Sequence, residues 1–148
     1  MNKIIKVITC FIILLTITTG CTKTSKYTYD SPSGEKIVVS FKNKYNLDIT
    51  ESNPFEIKNG DDLIATGTFI TAYGYDYLYK SLDTDTLVEG KQEGTKDGNS
   101  YVFYRFAKTE YKYLIRIKDT DTAVTLTSKK SKDQIEELFK ELSFSKEK

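Results

Sequence analysis

The first apolar segment of the chain runs from Val7 to Ile17 and follows two lysines, Lys3 and Lys6. It ends in small residues and a cysteine, Thr18–Cys21. A positive start, an apolar core of about 7 to 15 residues and a small-residue junction are typical of an export signal. A membrane-spanning helix needs about 20 apolar residues, so the length of this segment favours a signal over a transmembrane anchor.

After this segment the pattern becomes that of β-strands joined by turns. Alternating or β-branched runs flank turn residues at Asp30–Gly34 and at Asn59-Gly60. Gly67 inside the longest run predicts a bulge or a close backbone approach. The pattern therefore predicts two hairpins: Tyr27–Tyr29 with Ile37–Phe41, and Phe55–Ile57 with Leu63–Ile70.

The segment Thr71–Leu82 changes to the period of a helix. Its apolar side chains fall at positions i, i+3, i+4 and i+7, and Thr71 can cap its start. Tyr73 and Tyr77 then point away from this stripe, toward solvent or a partner. The stripe consists of Tyr75, Leu78, Tyr79 and Leu82.

A second helix is predicted over Ser131–Leu142, where Ser131 and Gln134 form a capping box. Its apolar stripe should lie against a sheet, followed by Phe144, and the last residues, 145–148, should be frayed. The stripe consists of Ile135, Leu138, Phe139 and Leu142.

Between the two helices, residues 86–128 predict four antiparallel strands in a meander. On the third of these, Tyr113 and Ile115 share one face, whereas Leu114 and its charged neighbours share another face that should meet water in part. The sequence thus predicts one α+β domain over 27–148: an antiparallel sheet of hairpins and a four-strand meander, with one internal and one C-terminal helix packed on it. The meander runs are Thr86–Glu93, Tyr101–Ala107, Tyr111–Lys118 and Thr122–Thr127.

The order of these elements resembles the PsbP-like fold, small antiparallel sheets flanked by helices. The long run Leu63–Ile70 before a tyrosine-rich helix, the late meander and the terminal Leu142–Phe144 carry this resemblance. It implies a non-catalytic binding or assembly factor, by analogy of fold alone.

The N-terminal segment resembles a bacterial lipoprotein signal. This resemblance implies removal of residues 1–20 by cleavage between Gly20 and Cys21, and attachment of a diacylglyceryl group to the Cys21 thiol. Residues 21–26 would then be a lipidated cysteine and a short tether. The implied location is the extracytoplasmic face of the cell membrane. Thr22 would permit delivery to an outer membrane if the cell has one.

The composition limits the partners and the kinds of catalysis that the chain can be expected to have. The chain has 148 residues, 22 Lys and Arg against 21 Asp and Glu, and no histidine. Nucleic-acid binders usually concentrate a basic excess, so we predict no nucleic-acid partner. Without histidine or a free thiol in the mature chain, we predict no Ser-His or Cys-His site, no metal site and no cofactor.

Carboxylates are the remaining candidates for catalysis. Two Asp-Thr-Asp-Thr stretches, Asp83–Thr86 and Asp119–Thr122, lack the third ligand, glycine and glutamate of a calcium loop, so they indicate turns. A carboxylate pair could hydrolyse a glycan if two groups faced each other across a cleft. The candidates are Asp61, Asp62, Asp83, Asp85, Glu89 and Glu93.

Two features could contact a partner. Residues 89–100 contain three glycines and no large apolar residue, which predicts a long mobile hairpin tip or a contact loop. Tyr73 and Tyr77 could anchor an interface. The sequence therefore favours a membrane-anchored, non-enzymatic lipoprotein that binds a protein or an envelope polymer, with an envelope hydrolase using a carboxylate pair as the alternative.

Overall fold

The structure is a computed structural model that describes residues 23–42 and 46–148. These residues form strands and two helices, which confirms the α+β class predicted from the sequence. In chain order the elements are β1 (Thr24–Asp30), β2 (Lys36–Lys42), β3 (Asp48–Ile49), β4 (Phe55–Asn59), β5 (Asp62–Thr71), α1 (Ala72–Ser81), β6 (Val88–Lys96), β7 (Asn99–Phe106), β8 (Glu110–Arg116), β9 (Thr122–Ser128), α2 (Lys132–Glu141) and β10 (Leu142–Lys146).

The strands form two antiparallel sheets. The larger has seven strands in the order β3-β4-β5-β9-β8-β7-β6, and the smaller has three in the order β1-β2-β10. Both predicted hairpins and the meander are confirmed, since β1 pairs with β2, β4 with β5, and β6 to β9 with their neighbours in turn.

One face of the seven-stranded sheet, which we call the first face, carries the larger core. The three-stranded sheet and α2 cover it, and aromatic rings fill the space between them. Tyr29, Phe55 and Phe69 form one group with centroids 5.3 to 5.5 Å apart. Phe139 of α2 stacks on Tyr113 at 3.9 Å.

Gly67 on β5 explains how these rings fit together. The ring of Phe55 on the paired strand occupies the space that a side chain at position 67 would take. The predicted bulge or close backbone approach at Gly67 is therefore wrong: a side chain makes the approach, and the register of this pair shifts between Ile57 and Lys58 instead.

The opposite face, which we call the second face, is covered by α1. Helix residues Tyr75, Leu78 and Tyr79 pack on Val102, Tyr104 and Leu114 of the sheet. Leu114 is fully buried, because α1 covers the middle of a face that we expected to be mostly polar. Of its charged neighbours on β8, Lys112 and Arg116 are half-buried.

The N-terminal strand starts earlier than the pattern predicted. Thr24, Ser25 and Lys26 pair with Lys42, Phe41 and Ser40, so β1 begins at Thr24 instead of Tyr27. Half of the expected tether over 21–26 is thus part of the sheet, because backbone pairing with β2 continues to the last residue of that strand.

The predicted loop over residues 89–100 is wrong. These residues continue β6 to Lys96, pair with β7 and close in a two-residue turn at Asp97-Gly98. Both turn residues have positive φ, as a tight hairpin turn requires. Gly90, also with positive φ, lies where the register shifts between Glu89 and Gln92, which marks a bulge.

The C-terminal segment is also more ordered than predicted. The α2 capping box is present, and Phe144 is buried as expected. Ser145 and Lys146, which we expected to fray, pair with Val38 and Ile37 of β2 in strand β10.

Candidate functional site

Helix α1 starts from a local signal and a backbone anchor. The Thr71 hydroxyl accepts a hydrogen bond from the Gly74 amide at 3.2 Å, which satisfies one of the free amides of the first turn. The Ala72 amide donates to the Asp121 carbonyl at 2.8 Å. The helix start is therefore fixed to the turn between β8 and β9.

The inner side of α1 is attached to the edge strand β6 by polar contacts. The Tyr79 hydroxyl donates to Glu93 Oε1 at 3.0 Å, and this hydrogen bond raises the pKa of Tyr79. Lys91 Nζ lies 2.7 Å from Asp83 Oδ1 and 3.2 Å from Glu93 Oε1. The hydrogen bond to Asp83 raises the pKa of Lys91 most, and the hydrogen bond to Glu93 raises it further. These contacts place the helix against the strand.

The outer side of α1 presents two tyrosine rings to solvent. Tyr73 is 81% exposed and Tyr77 is 69% exposed, which confirms the predicted direction of both side chains. Residues four apart in a helix are neighbours on its surface, about 6 Å apart at Cβ. Asp76 and Lys80 are exposed on the same side. We call Tyr73, Asp76, Tyr77 and Lys80 the outer stripe.

The side chains of the outer stripe are of the kind found at binding surfaces. The stripe combines two flat apolar rings that end in hydroxyls with one charge of each sign. Tyrosines of this kind are frequent energetic centres of protein interfaces, because a large rigid ring is buried at a small entropic cost. Their exposure is the geometric reason to place a binding surface here.

Four of the six carboxylates singled out in the sequence have structural partners, and the other two, Asp61 and Glu89, are exposed. Asp62 accepts from Lys130 Nζ at 2.6 and 2.8 Å, and Asp83 and Glu93 share Lys91. Asp85 Oδ1 accepts from the Leu87 amide at 2.9 Å, as in a turn. Lys91 lies between Asp83 and Glu93, where a sugar would have to bind for the two to act as a catalytic pair.

A cavity of about 330 Å³ lies beside α2, with Phe41, Leu47, Ile64 and Leu138 among its lining residues. Its carboxylates are Asp133, Glu137 and Glu141, which the sequence analysis did not single out. They occur at every fourth position of one helix and therefore share one wall. Glycoside hydrolysis instead needs carboxyl groups that flank the bond.

The second Asp-Thr-Asp-Thr stretch belongs to a polar junction that sequence reasoning missed. Glu35 Oε2 accepts from the Asp121 amide at 2.8 Å and from the Thr122 hydroxyl at 3.0 Å, while Lys146 Nζ lies 2.9 Å from Oε1. The hydrogen bond from Lys146, opposed by burial, lowers the pKa of Glu35 to about 2. Because these residues are 86 to 111 positions apart, no local signal predicts the contact.

Residues 23–42 and 46–148 contain no group of three or more Asp, Glu, Cys or His placed to hold a metal ion. No helix in the same ranges has the length and apolar character needed to cross a bilayer. Gly20 and Cys21, the predicted cleavage and lipidation residues, lie outside the described residues.

Comparison of the chain with protein-family models, with curated proteins and with solved structures gives no match. The PsbP-like and lipoprotein resemblances therefore stay predictions from sequence.

Proposed function

We propose that this protein is a lipoprotein of the bacterial cell envelope, held on the extracytoplasmic face of a membrane by a diacylglyceryl group on Cys21. Its α+β domain binds a protein or an envelope polymer and catalyses no reaction. The observation that carries the anchoring is the succession of Lys3 and Lys6, the apolar run Val7–Ile17, and the junction Gly20-Cys21.

Two acyl chains would make this attachment stable. Each buried methylene contributes about 0.8 kcal/mol, and one chain alone gives only marginal binding. In this proposal the modified cysteine is the feature that retains the domain at the membrane.

The outer stripe of α1 is the proposed binding surface. The three-stranded sheet, which contains β1, lies on the first face of the large sheet, and α1 lies on the second face. Packed layers are about 10 Å apart, so α1 is roughly 20 Å from the layer that follows the anchor. Tyr73 and Tyr77 are thus accessible to a partner in the envelope.

A non-catalytic role is supported by the chemistry of the described residues. The chain contains no histidine. The carboxylates Asp62, Asp83 and Glu93 are engaged by lysines. Binding by exposed aromatic rings needs none of the groups that hydrolysis requires.

Replacement of Cys21 tests the anchor. The Cys21→Ala protein should keep its fold but be released from membranes or stay unprocessed, because no thiol remains for the acyl group. Fractionation and mass spectrometry of the isolated chain measure both outcomes, and the wild type should begin at Cys21 with two acyl chains attached.

Cys10→Ala is the matched control, since it removes the other cysteine of the chain from within the proposed signal. It should be processed and anchored like the wild type. The proposal fails if Cys21→Ala remains on membranes with the mass of the wild-type protein.

A further inference from the structure

The first strand begins close to the cysteine of the proposed anchor. β1 starts at Thr24, three residues after Cys21. Three residues span at most about 11 Å. The polar layer of one leaflet is about 5 to 8 Å thick, half the difference between the whole bilayer and its hydrocarbon core. With the acyl chains inserted, Thr24 lies in the headgroup layer or within a few ångströms of it.

The end of the three-stranded sheet that contains Thr24 carries exposed lysines. Thr24 pairs with Lys42, the last residue of β2, and Lys26 follows two positions later in β1. Side chains two positions apart point to the same face, so Lys26 lies on the same outer face as Lys42. Lys23 precedes the strand and is also exposed. We call Lys23, Lys26 and Lys42 the lysine end.

The charges of the lysine end are available to an anion. The ion pairs within residues 23–42 and 46–148 are formed by other basic residues. Two acids border this end. Asp97 Oδ2 lies 2.8 Å from Lys96 Nζ and accepts from the Ser143 hydroxyl at 2.7 Å, and Glu141 precedes Leu142, the partner of Phe41 in β2. With Lys96, Asp97 and Glu141 counted, four lysines face two carboxylates, a net charge of +2.

The opposite end of the same sheet is electrostatically mixed. Asp30 pairs across the strands with Lys36, and Lys146 is bound to Glu35. The cationic excess is therefore confined to the end that the anchor would bring to the bilayer.

We propose that the lysine end binds the phosphate groups of anionic lipid headgroups and fixes the orientation of the domain on the membrane. The proposal rests on the proposed function, because Cys21 supplies the proximity. Each lysine near an anionic surface strengthens surface binding about fivefold, and added salt weakens the effect within a Debye length. In this orientation the outer stripe of α1 faces away from the bilayer.

The test uses the absence of tryptophan from the chain. A single tryptophan is introduced by Thr28→Trp, on the exposed face of β1 beside Lys26, or by Tyr77→Trp on α1. The mature lipoprotein is reconstituted into vesicles of phosphatidylcholine, alone or mixed with phosphatidylglycerol, that contain a lipid with a nitroxide on its headgroup. The tryptophan of Thr28→Trp should be quenched more strongly in vesicles that contain phosphatidylglycerol than in vesicles of phosphatidylcholine alone. The quenching of Tyr77→Trp should be the same in both.

Charge variants then identify the residues responsible. Lys26→Gln with Lys42→Gln should lower the ratio of docked to undocked domain about 25-fold, since two contributions of about fivefold are removed. The matched control, Lys108→Gln with Lys129→Gln, removes two exposed lysines elsewhere and should leave the ratio within about twofold. Equal quenching of Thr28→Trp in both kinds of vesicle, or equal behaviour of the two double variants, overturns the proposal.

Failure of the anchor is distinguished by mass spectrometry before reconstitution. If the isolated chain carries no acyl group, the proposed function has failed. The chain beginning at Cys21 is then coupled through its thiol to a maleimide lipid, and the same quenching measurement decides the role of the lysine end on its own.

Discussion

The two faces of the seven-stranded sheet are covered by helices of very different burial. On the first face, α2 buries Ile135, Leu138 and Phe139 in a core that also contains the three-stranded sheet. On the second face, α1 has no fully buried residue between Ala72 and Ser81. The first face therefore holds the fold together, whereas the second supports a helix that can display tyrosines.

The polar contacts on the two sides of the sheet also differ in how exposed their groups are. Glu35 on the first-face side is only 17% exposed and joins β10 to the turn before β9. On the second-face side, Lys91 and Glu93 hold α1 through more exposed groups, and exposed ion pairs contribute little. We infer that α1 opens locally at a lower cost in free energy than the whole domain.

The largest expected effect is at Phe139. Phe139→Ala should lower the free energy of unfolding by about 3 to 5 kcal/mol, because it removes a buried ring stacked on Tyr113 and leaves a cavity. Urea titration measures the loss. Phe139→Leu, which keeps most of the apolar volume, should cost less. A loss below about 1 kcal/mol for the alanine variant would contradict a stabilising role for the first face.

A smaller effect is expected at Leu78 on α1. Leu78→Ala should cost about 1 to 2 kcal/mol, because the side chain is only partly buried against the second face. Hydrogen exchange should accelerate in α1 more than in β7 and β8. If exchange accelerates equally in all three elements, the helix is not a separate opening unit and the comparison of the two faces fails.

The Glu35 junction should be visible through its pH dependence. Its pKa is about 2 in the folded chain against an ordinary value of 4.5, so its stabilisation is present above about pH 4.5 and is lost as the pH falls toward 2. Glu35→Gln should lower the melting temperature by about 1 to 4 °C at neutral pH. The difference from wild type should shrink in acid.

Glu147→Gln is the control for Glu35, since Glu147 is an exposed carboxylate of the same terminal region. It should change neither the melting temperature nor its pH dependence. A constant difference between Glu35→Gln and wild type from pH 7 to pH 3 would contradict the assigned cause.

The smallest effect on stability is expected at the outer stripe. Tyr73→Ala with Tyr77→Ala should change the free energy of unfolding by no more than about 0.5 kcal/mol per residue, because both rings are exposed. It should nevertheless weaken retention of the partner or polymer by the lipidated protein. The control is Leu63→Ala with Leu87→Ala, which removes exposed apolar groups elsewhere. If both double variants retain the partner or polymer equally well, the outer stripe is not the binding surface.

Sequence reasoning succeeded where a signal is local. The Ser131–Gln134 capping box, the Thr71 cap and the period of each helix located both helices within a residue or two. It failed for residues 89–96, because an edge strand with polar side chains and glycines resembles a loop until a partner strand is known. The burial of Leu114 was also missed, since it depends on where α1 returns to the sheet.

The residues of the candidate site also divide into those with a local sequence signal and those without one. The helical period alone directed Tyr73 and Tyr77 away from the apolar stripe. The Glu35 junction and the pairing of Thr24 with Lys42 had no sequence signal, since each joins strands through backbone and side-chain contacts that no local pattern encodes.

The sequence by itself determined the α+β class, the two helices and the proposed anchor cysteine, because periodicity, caps and turns act over a few residues. Only the tertiary structure decided that β10 joins the N-terminal hairpin, that α1 covers the second face, and that exposed lysines gather at the start of β1. These features depend on contacts between distant segments, whose geometry is set when the two sheets and the helices pack together.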